Sequence, residues 1–128
     1  MILIADDDSD FAENCRMMLE SHGYDVSIVQ SGTEALAWIT EQRPDLLISD
    51  CCMPGLDGLQ LSAQLKARPG TAQLPILLMS GSLQCRVARG TSYDAFLRKP
   101  FLAEALLQQV HKLMQKATAT ELAHKGYA

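Results

Sequence analysis

A chain of 128 residues with 48% apolar and 20% charged side chains has the length of one domain and enough hydrocarbon to bury a core unaided, which excludes a disordered segment. Its net charge of −4 and pI near 5.2, with no stripe of Lys or Arg, remove the electrostatic basis for direct nucleic-acid binding. The longest apolar runs, such as "ILLM" at 76–79, fall far short of the roughly 20 residues that cross a bilayer, and "MILIADDD" has no basic leader, so the expectation is a cytoplasmic protein without membrane contact.

The first strand is "ILIA" (2–5), followed at once by Asp6, Asp7 and Asp8. Phe11, Cys15, Met18 and Leu19 then recur on one face of a helix that Gly23 ends in a left-handed cap. The second strand is "DVSIV" (25–29). A helix from about Thr33 to Gln42 follows, with Ala35, Trp38 and Ile39 turned to a core and Pro44 stopping it. The third strand, "LLIS" (46–49), runs into Asp50 and the turn "CCMPGLDG". Asp57 is placed to cap a third helix carrying Leu61 and Leu65, which "RPG" at 68–70 breaks.

The fourth strand, "ILLM" (76–79), leads to Ser80 and Gly81. No amphipathic face can be drawn through "SLQCRVARGTSY", so the fourth helix is expected to be short or irregular. The fifth strand, "DAFL" (94–97), precedes "RKP" at 98–100. A last helix from about Leu102 to Lys116 sets Leu106, Val110 and Leu113 on one side and His111 on the polar face. Residues 1–116 thus form the domain, and residues 117–128 extend its last helix or begin a linker. Cys15, Cys51, Cys52 and Cys85 show neither C-x-x-C nor zinc-finger spacing and read as small core or loop residues.

Strands alternating with helices specify an α/β fold, a doubly wound five-stranded parallel sheet with helices on both faces. Ligand sites in such sheets lie beyond the carboxyl ends of the strands. There the fold gathers the carboxylates of Asp6, Asp7 and Asp50, the hydroxyl of Ser80 and the ammonium of Lys99. Crowded carboxylates repel one another unless a cation joins them, and hard oxygen donors in a shallow site suit Mg²⁺. An Asp carboxylate beside that ion can attack phosphorus, with Ser80 and Lys99 neutralising the equatorial oxygens. Each residue taken singly has an ordinary reading: "DDDSD" charges a helix N-terminus, with Asp10 and Glu13 resembling a capping box, and Asp50, Ser80 and Lys99 are loop residues. Their joint placement after four strands of one sheet favours the site.

Over Ile2 to about Lys116 the sequence resembles the receiver domains of two-component response regulators, through "ILIADDD", "DLLISDCCMPGLDG", "LPILLMSG" and "LRKPF". The resemblance implies a flavodoxin-like, CheY-like sheet of strand order 2-1-3-4-5. It implies Asp50 as phosphoacceptor, and Mg²⁺ held by Asp6, Asp7, Asp50 and the backbone carbonyl of Cys52. It further implies Ser80 as the switch hydroxyl coupled to Phe96, Lys99 as the phosphoryl contact, and a cis peptide between Lys99 and Pro100. Cys52 and Ser82 stand where relatives tune water access. The phosphoryl donor would be a phosphohistidine on a histidine kinase or phosphotransfer protein, and the output a downstream protein target or fused effector, with a homodimer allowed.

Lys99 follows Ser80 more closely than the family pattern leads one to expect, which puts the usual dimer surface in doubt. The chain is expected to catalyse only its own phosphorylation and dephosphorylation, and not to turn over a small molecule. A degenerate receiver that binds a partner without phosphorylation is the first alternative. A Mg²⁺-dependent aspartyl-phosphate phosphatase is disfavoured by Cys52 standing where a second Asp is needed. A flavodoxin-like redox module is disfavoured by carboxylates where a flavin phosphate would lie.

Overall fold

The first, third and fourth apolar runs become strands buried on both faces, as the interior of a parallel sheet requires, and the second and fifth flank them as partly exposed edges. A computed structural model describes residues 1–81 and 93–124, the stretch 116–124 by its backbone alone. In chain order the elements are β1 (Ile2–Ala5), α1 (Ser9–Glu20), β2 (Val26–Val29), α2 (Gly32–Glu41), β3 (Leu46–Asp50), α3 (Gly58–Lys66), β4 (Ile76–Ser80), β5 (Ala95–Arg98) and α4 (Ala103–His124). The sheet order is β2-β1-β3-β4-β5, and every pair is parallel. The expected short or irregular helix before β5, together with Ser82 and Cys85, lies outside the described residues.

Alternation along the strands divides the core in two. Ile2, Ile4, Leu46, Ile48, Leu77 and Met79 face α1 and α4, meeting Ala12, Cys15, Leu19, Leu106, Val110 and Leu113. Leu3, Ala5, Leu47, Ile76 and Leu78 face α2 and α3, meeting Ala35, Ile39, Leu61 and Leu65, with Trp38 packed at the margin. Each fully buried Leu or Ile contributes about 1.5–3 kcal/mol, so the sheet is the rigid part on which the loops are mounted.

The caps show where the local sequence reading succeeds and where it does not. Asp57 caps α3, its side chain accepting from the Gln60 N–H while Gln60 reaches back to the Asp57 N–H. Gly23 holds φ +90° after α1, as its sequence position leads one to expect. The cap of α1 is Asp8, whose carboxylate accepts from the Phe11 N–H, and not the Asp10–Glu13 pairing. The reason is upstream: the Asp6 side chain accepts from the Asp8 N–H, which turns the chain sharply and brings Asp8 to the helix mouth two residues earlier. α4 continues through residues 117–124, the helix extension that is one of the two alternatives for this tail.

At the amino end of the sheet, Lys66 at the end of α3 donates to the Leu74 carbonyl at 2.7 Å and pairs with Asp94 at 3.0 Å. Asp94 also accepts from the Ile76 N–H at 2.8 Å, tying the entrances of β4 and β5 together. Among the described residues no helix is long and apolar enough to cross a membrane.

Candidate functional site

Four strands deliver the site. Asp6 follows β1 and stays in its ladder, its N–H donating to the Val29 carbonyl at 3.1 Å, so its side chain is carried inward and is fully buried. Asp50 is the last residue of β3 and is 8% exposed; Asp7 points to solvent. Ser80 ends β4 and is buried, paired in register with Arg98. Lys99 follows β5, and its N–H donates to the Ser80 carbonyl at 2.8 Å. The Lys99–Pro100 peptide is cis, in agreement with the sequence expectation.

One oxygen each from Asp6, Asp7 and Asp50 lies within 4.8 Å of the others. Lys99 Nζ stands 3.0 Å from Asp6 Oδ2 and 3.7 Å from Asp50 Oδ2, a hydrogen bond to the first and a looser ion pair with the second. The other Asp6 oxygen accepts from the Asp8 N–H at 2.9 Å, whereas Asp50 Oδ1 accepts from the Cys52 N–H over a longer 3.4 Å. Asp6 is therefore held at both oxygens, by shorter contacts than those Asp50 makes with Lys99 and with the Cys52 N–H.

Electrostatics agree with this division. Burial pushes the Asp50 carboxyl above the ordinary aspartate range; Lys99 opposes the rise, Asp6 adds to it, the Cys52 N–H opposes it weakly and Asp7 adds again. Among the described residues three carboxylates face a single ammonium, so that set is short of positive charge and suited to a hard cation. Beneath it, burial pushes the Cys15 thiol up to about 11, with Lys99 lowering and Asp6 raising it, which leaves that sulfur protonated at neutral pH. Cys51 points into the core and Cys52 to solvent.

Three contributions escape a reading of the sequence. The Phe11 ring lies under the Lys99 ammonium, 3.9 Å from centroid to Nζ, although helical periodicity marks it only as a core-facing residue. Gly58 lets α3 start directly against β3: a Cβ there would stand 2.3 Å from the Asp50 carbonyl oxygen and 2.9 Å from the Cys51 Cα. Gly32 likewise allows α2 to approach the Leu56 carbonyl, where a Cβ would come within 2.2 Å. A glycine at the first position of a capped helix was the available signal, without indication of what it must clear. Phe96, the expected switch residue, is half-buried against the core on the α2–α3 side, paired with Leu78.

Comparison with known proteins places this geometry. The response regulator receiver domain profile matches residues 2–111. The response regulator MprA of Mycolicibacterium vanbaalenii is 36% identical over 128 residues, covering 99% of this chain and 55% of its own length. That of Mycobacterium avium is 37% identical over 116 residues, covering 90% and 51%. The chain therefore spans about half the length of these curated relatives. Among solved structures, the signal receiver domain of a signal transduction histidine kinase from Syntrophus aciditrophicus superimposes with a TM-score of 0.79 at 32% identity, covering 89% of each chain. A response regulator receiver domain protein from Clostridium thermocellum gives a TM-score of 0.85 at 27% identity, covering 93% of this chain and 97% of that one. With fold, strand order and sequence in agreement, the chain belongs to the response regulator receiver domain family of two-component signalling.

Proposed function

We propose that this domain takes a phosphoryl group from a phosphohistidine onto Asp50 and uses the resulting change to signal to a protein partner. The observation that carries the reading is the meeting of Asp6, Asp7 and Asp50 oxygens within 4.8 Å, with Lys99 Nζ 3.7 Å from Asp50 Oδ2. In the transfer, a carboxylate oxygen of Asp50 forms a bond to phosphorus as the phosphorus–nitrogen bond of the donor breaks. The bonding pair returns to the imidazole, and no redox partner is needed.

The acidic cluster fits Mg²⁺: its donors are hard oxygens, two of the three carboxylates are buried, and mutual repulsion is already felt at Asp50. Asp6, Asp7, Asp50 and the carbonyl of Cys52 would hold the ion, which when bound supplies charge neutralisation at the phosphoryl oxygens. Lys99 sits where its ammonium can turn from the carboxylates to a phosphoryl oxygen, and Ser80 lies on the neighbouring strand end as a second donor. Pairing supports the proposed coupling of Ser80 to Phe96: Phe96 faces Leu78, one pleat repeat before Ser80 on the same face. A histidine kinase or phosphotransfer protein would be the donor, and a target protein or an attached effector the receiver of the signal. The chain then acts on itself alone and is no turnover enzyme.

The test is intact mass spectrometry after incubation with Mg²⁺ and acetyl phosphate or a phosphorylated histidine kinase. One added phosphoryl group, absent in Asp50→Asn, is the expected result. A folded wild-type protein that binds Mg²⁺ yet takes nothing from either donor would overturn the reading in favour of a phosphorylation-independent binding module.

A further inference from the structure

Three described groups surround the Lys99 ammonium: the Asp6 carboxylate at 3.0 Å, the Asp50 carboxylate at 3.7 Å, and the face of Phe11 at 3.9 Å from the ring centroid. A divalent cation at the acidic cluster competes for the first two, since both carboxylates belong to it. It does not compete for the ring, whose attraction to an ammonium comes from its quadrupole.

The ring is itself fixed from two directions. Phe11 sits in the first turn of α1, its N–H bonded to the Asp8 carboxylate at 3.1 Å, directly after the acidic pair. It meets the Phe101 ring with centroids 5.8 Å apart and planes at 81°, the T-shaped arrangement that aromatic quadrupoles favour. Phe101 is two residues beyond Lys99, so the ring under the ammonium is braced by the same segment that carries the lysine.

We propose that Phe11 is a positioning residue for Lys99, its aromatic face keeping the ammonium beside the Asp50 carboxylate when a cation occupies the cluster. This role rests on Asp50 being the phosphoacceptor. A side chain that merely filled the core would serve equally well as leucine, which keeps the apolar contact and lacks the quadrupole. Phe11→Leu and Phe11→Tyr therefore separate the two roles, with Phe11→Met as a second apolar variant if the leucine does not fold.

Two readouts are taken on each protein with matched Mg²⁺. In the absence of any phosphodonor, the Lys99 Hε resonances of wild type lie upfield through the ring current, move downfield in Phe11→Leu and return in Phe11→Tyr. With acetyl phosphate at saturating Mg²⁺, uptake falls about fivefold in Phe11→Leu and recovers in Phe11→Tyr. The Mg²⁺ dissociation constant is expected to stay the same in all three. Wild-type uptake by Phe11→Leu, or a tyrosine that restores neither readout, overturns the proposal. A wild-type protein that takes no phosphoryl group overturns the phosphoacceptor reading, and the positioning role with it; the resonance shift then persists and tells the two failures apart.

Discussion

Gly58 is the position at which the smallest chemical change should most disturb the site. Replacing it with alanine sets a Cβ 2.3 Å from the Asp50 carbonyl oxygen, where ordinary contact begins at 3.4 Å, so a gap of 3.4 − 2.3 = 1.1 Å must be opened. The obstructing atoms are backbone of β3 and its turn, which cannot swing aside like the end of a side chain, and the Gly58 N–H is bonded to the Cys51 carbonyl at 3.0 Å. Overpacking of this kind costs about 1–3 kcal/mol. At about 3–6 °C per kcal/mol for a domain of this size, the melting midpoint should fall by about 3–18 °C. Displacing a reacting carboxylate by about 1 Å lowers a rate by on the order of a hundredfold, so acetyl phosphate uptake should drop further than stability alone explains. Calorimetry and intact-mass kinetics measure both. Gly70→Ala is the internal control: a Cβ there meets nothing within 4 Å and Gly70 has no positive φ, so it should gain about 0.4–1 kcal/mol. A Gly58→Ala protein that melts as high as Gly70→Ala and takes phosphate at the wild-type rate would refute the reasoning.

Asp50→Asn should raise the melting midpoint of the metal-free protein at pH 7. A carboxyl whose pKa is raised by folding contributes its full stability below the unfolded aspartate value near 3.9 and loses it as pH rises through the folded value. Melting in EDTA should therefore show the gap between variant and wild type narrowing as pH is lowered to 4, and an unchanged gap would count against it. Lys99→Met leaves the fully buried Asp6 without its cation and should cost about 3–5 kcal/mol without metal, partly recovered on titration with Mg²⁺. Lys66→Met breaks the pair with Asp94 at the opposite end of the sheet; being partly solvent-exposed it should cost about 1–3 kcal/mol in urea melts and leave phosphoryl uptake unchanged.

The strands were legible because a parallel strand buried on both faces is a continuous apolar run, and "ILIA" and "LLIS" have no other use. Their ends were legible for the same reason: an aspartate directly after such a run stands where the sheet stops. β3 runs one residue further than the apolar run, taking Asp50 into the strand, and β5 starts at Ala95 with Asp94 outside it, its carboxylate spent on Ile76 and Lys66. Long-range pairings such as Lys66 with Asp94 have no local signature, and neither do the close approaches that Gly32 and Gly58 permit. The α1 cap is hard to read because the capping-box pattern singles out Asp10, with Glu13 three residues on, whereas Asp8 has Phe11 at that position and is brought to the helix mouth by the Asp6 side chain in the preceding turn. For Phe11 the apolar period gave its helix face correctly and stayed silent about the ammonium above it.

The bond between Asp6 and Lys99 joins residues 93 positions apart, the first strand's end to the last strand's. A chain emerging from the ribosome therefore presents all three carboxylates of the cluster well before it presents their ammonium. Closing a loop of that length costs only slowly growing entropy, but it comes late, once β5 has docked on β4 at the edge of the sheet. Until then Asp6 and Asp50 lack the ammonium that pairs with them in the folded domain, so this ion pair is made by the segment that follows the sheet's last strand.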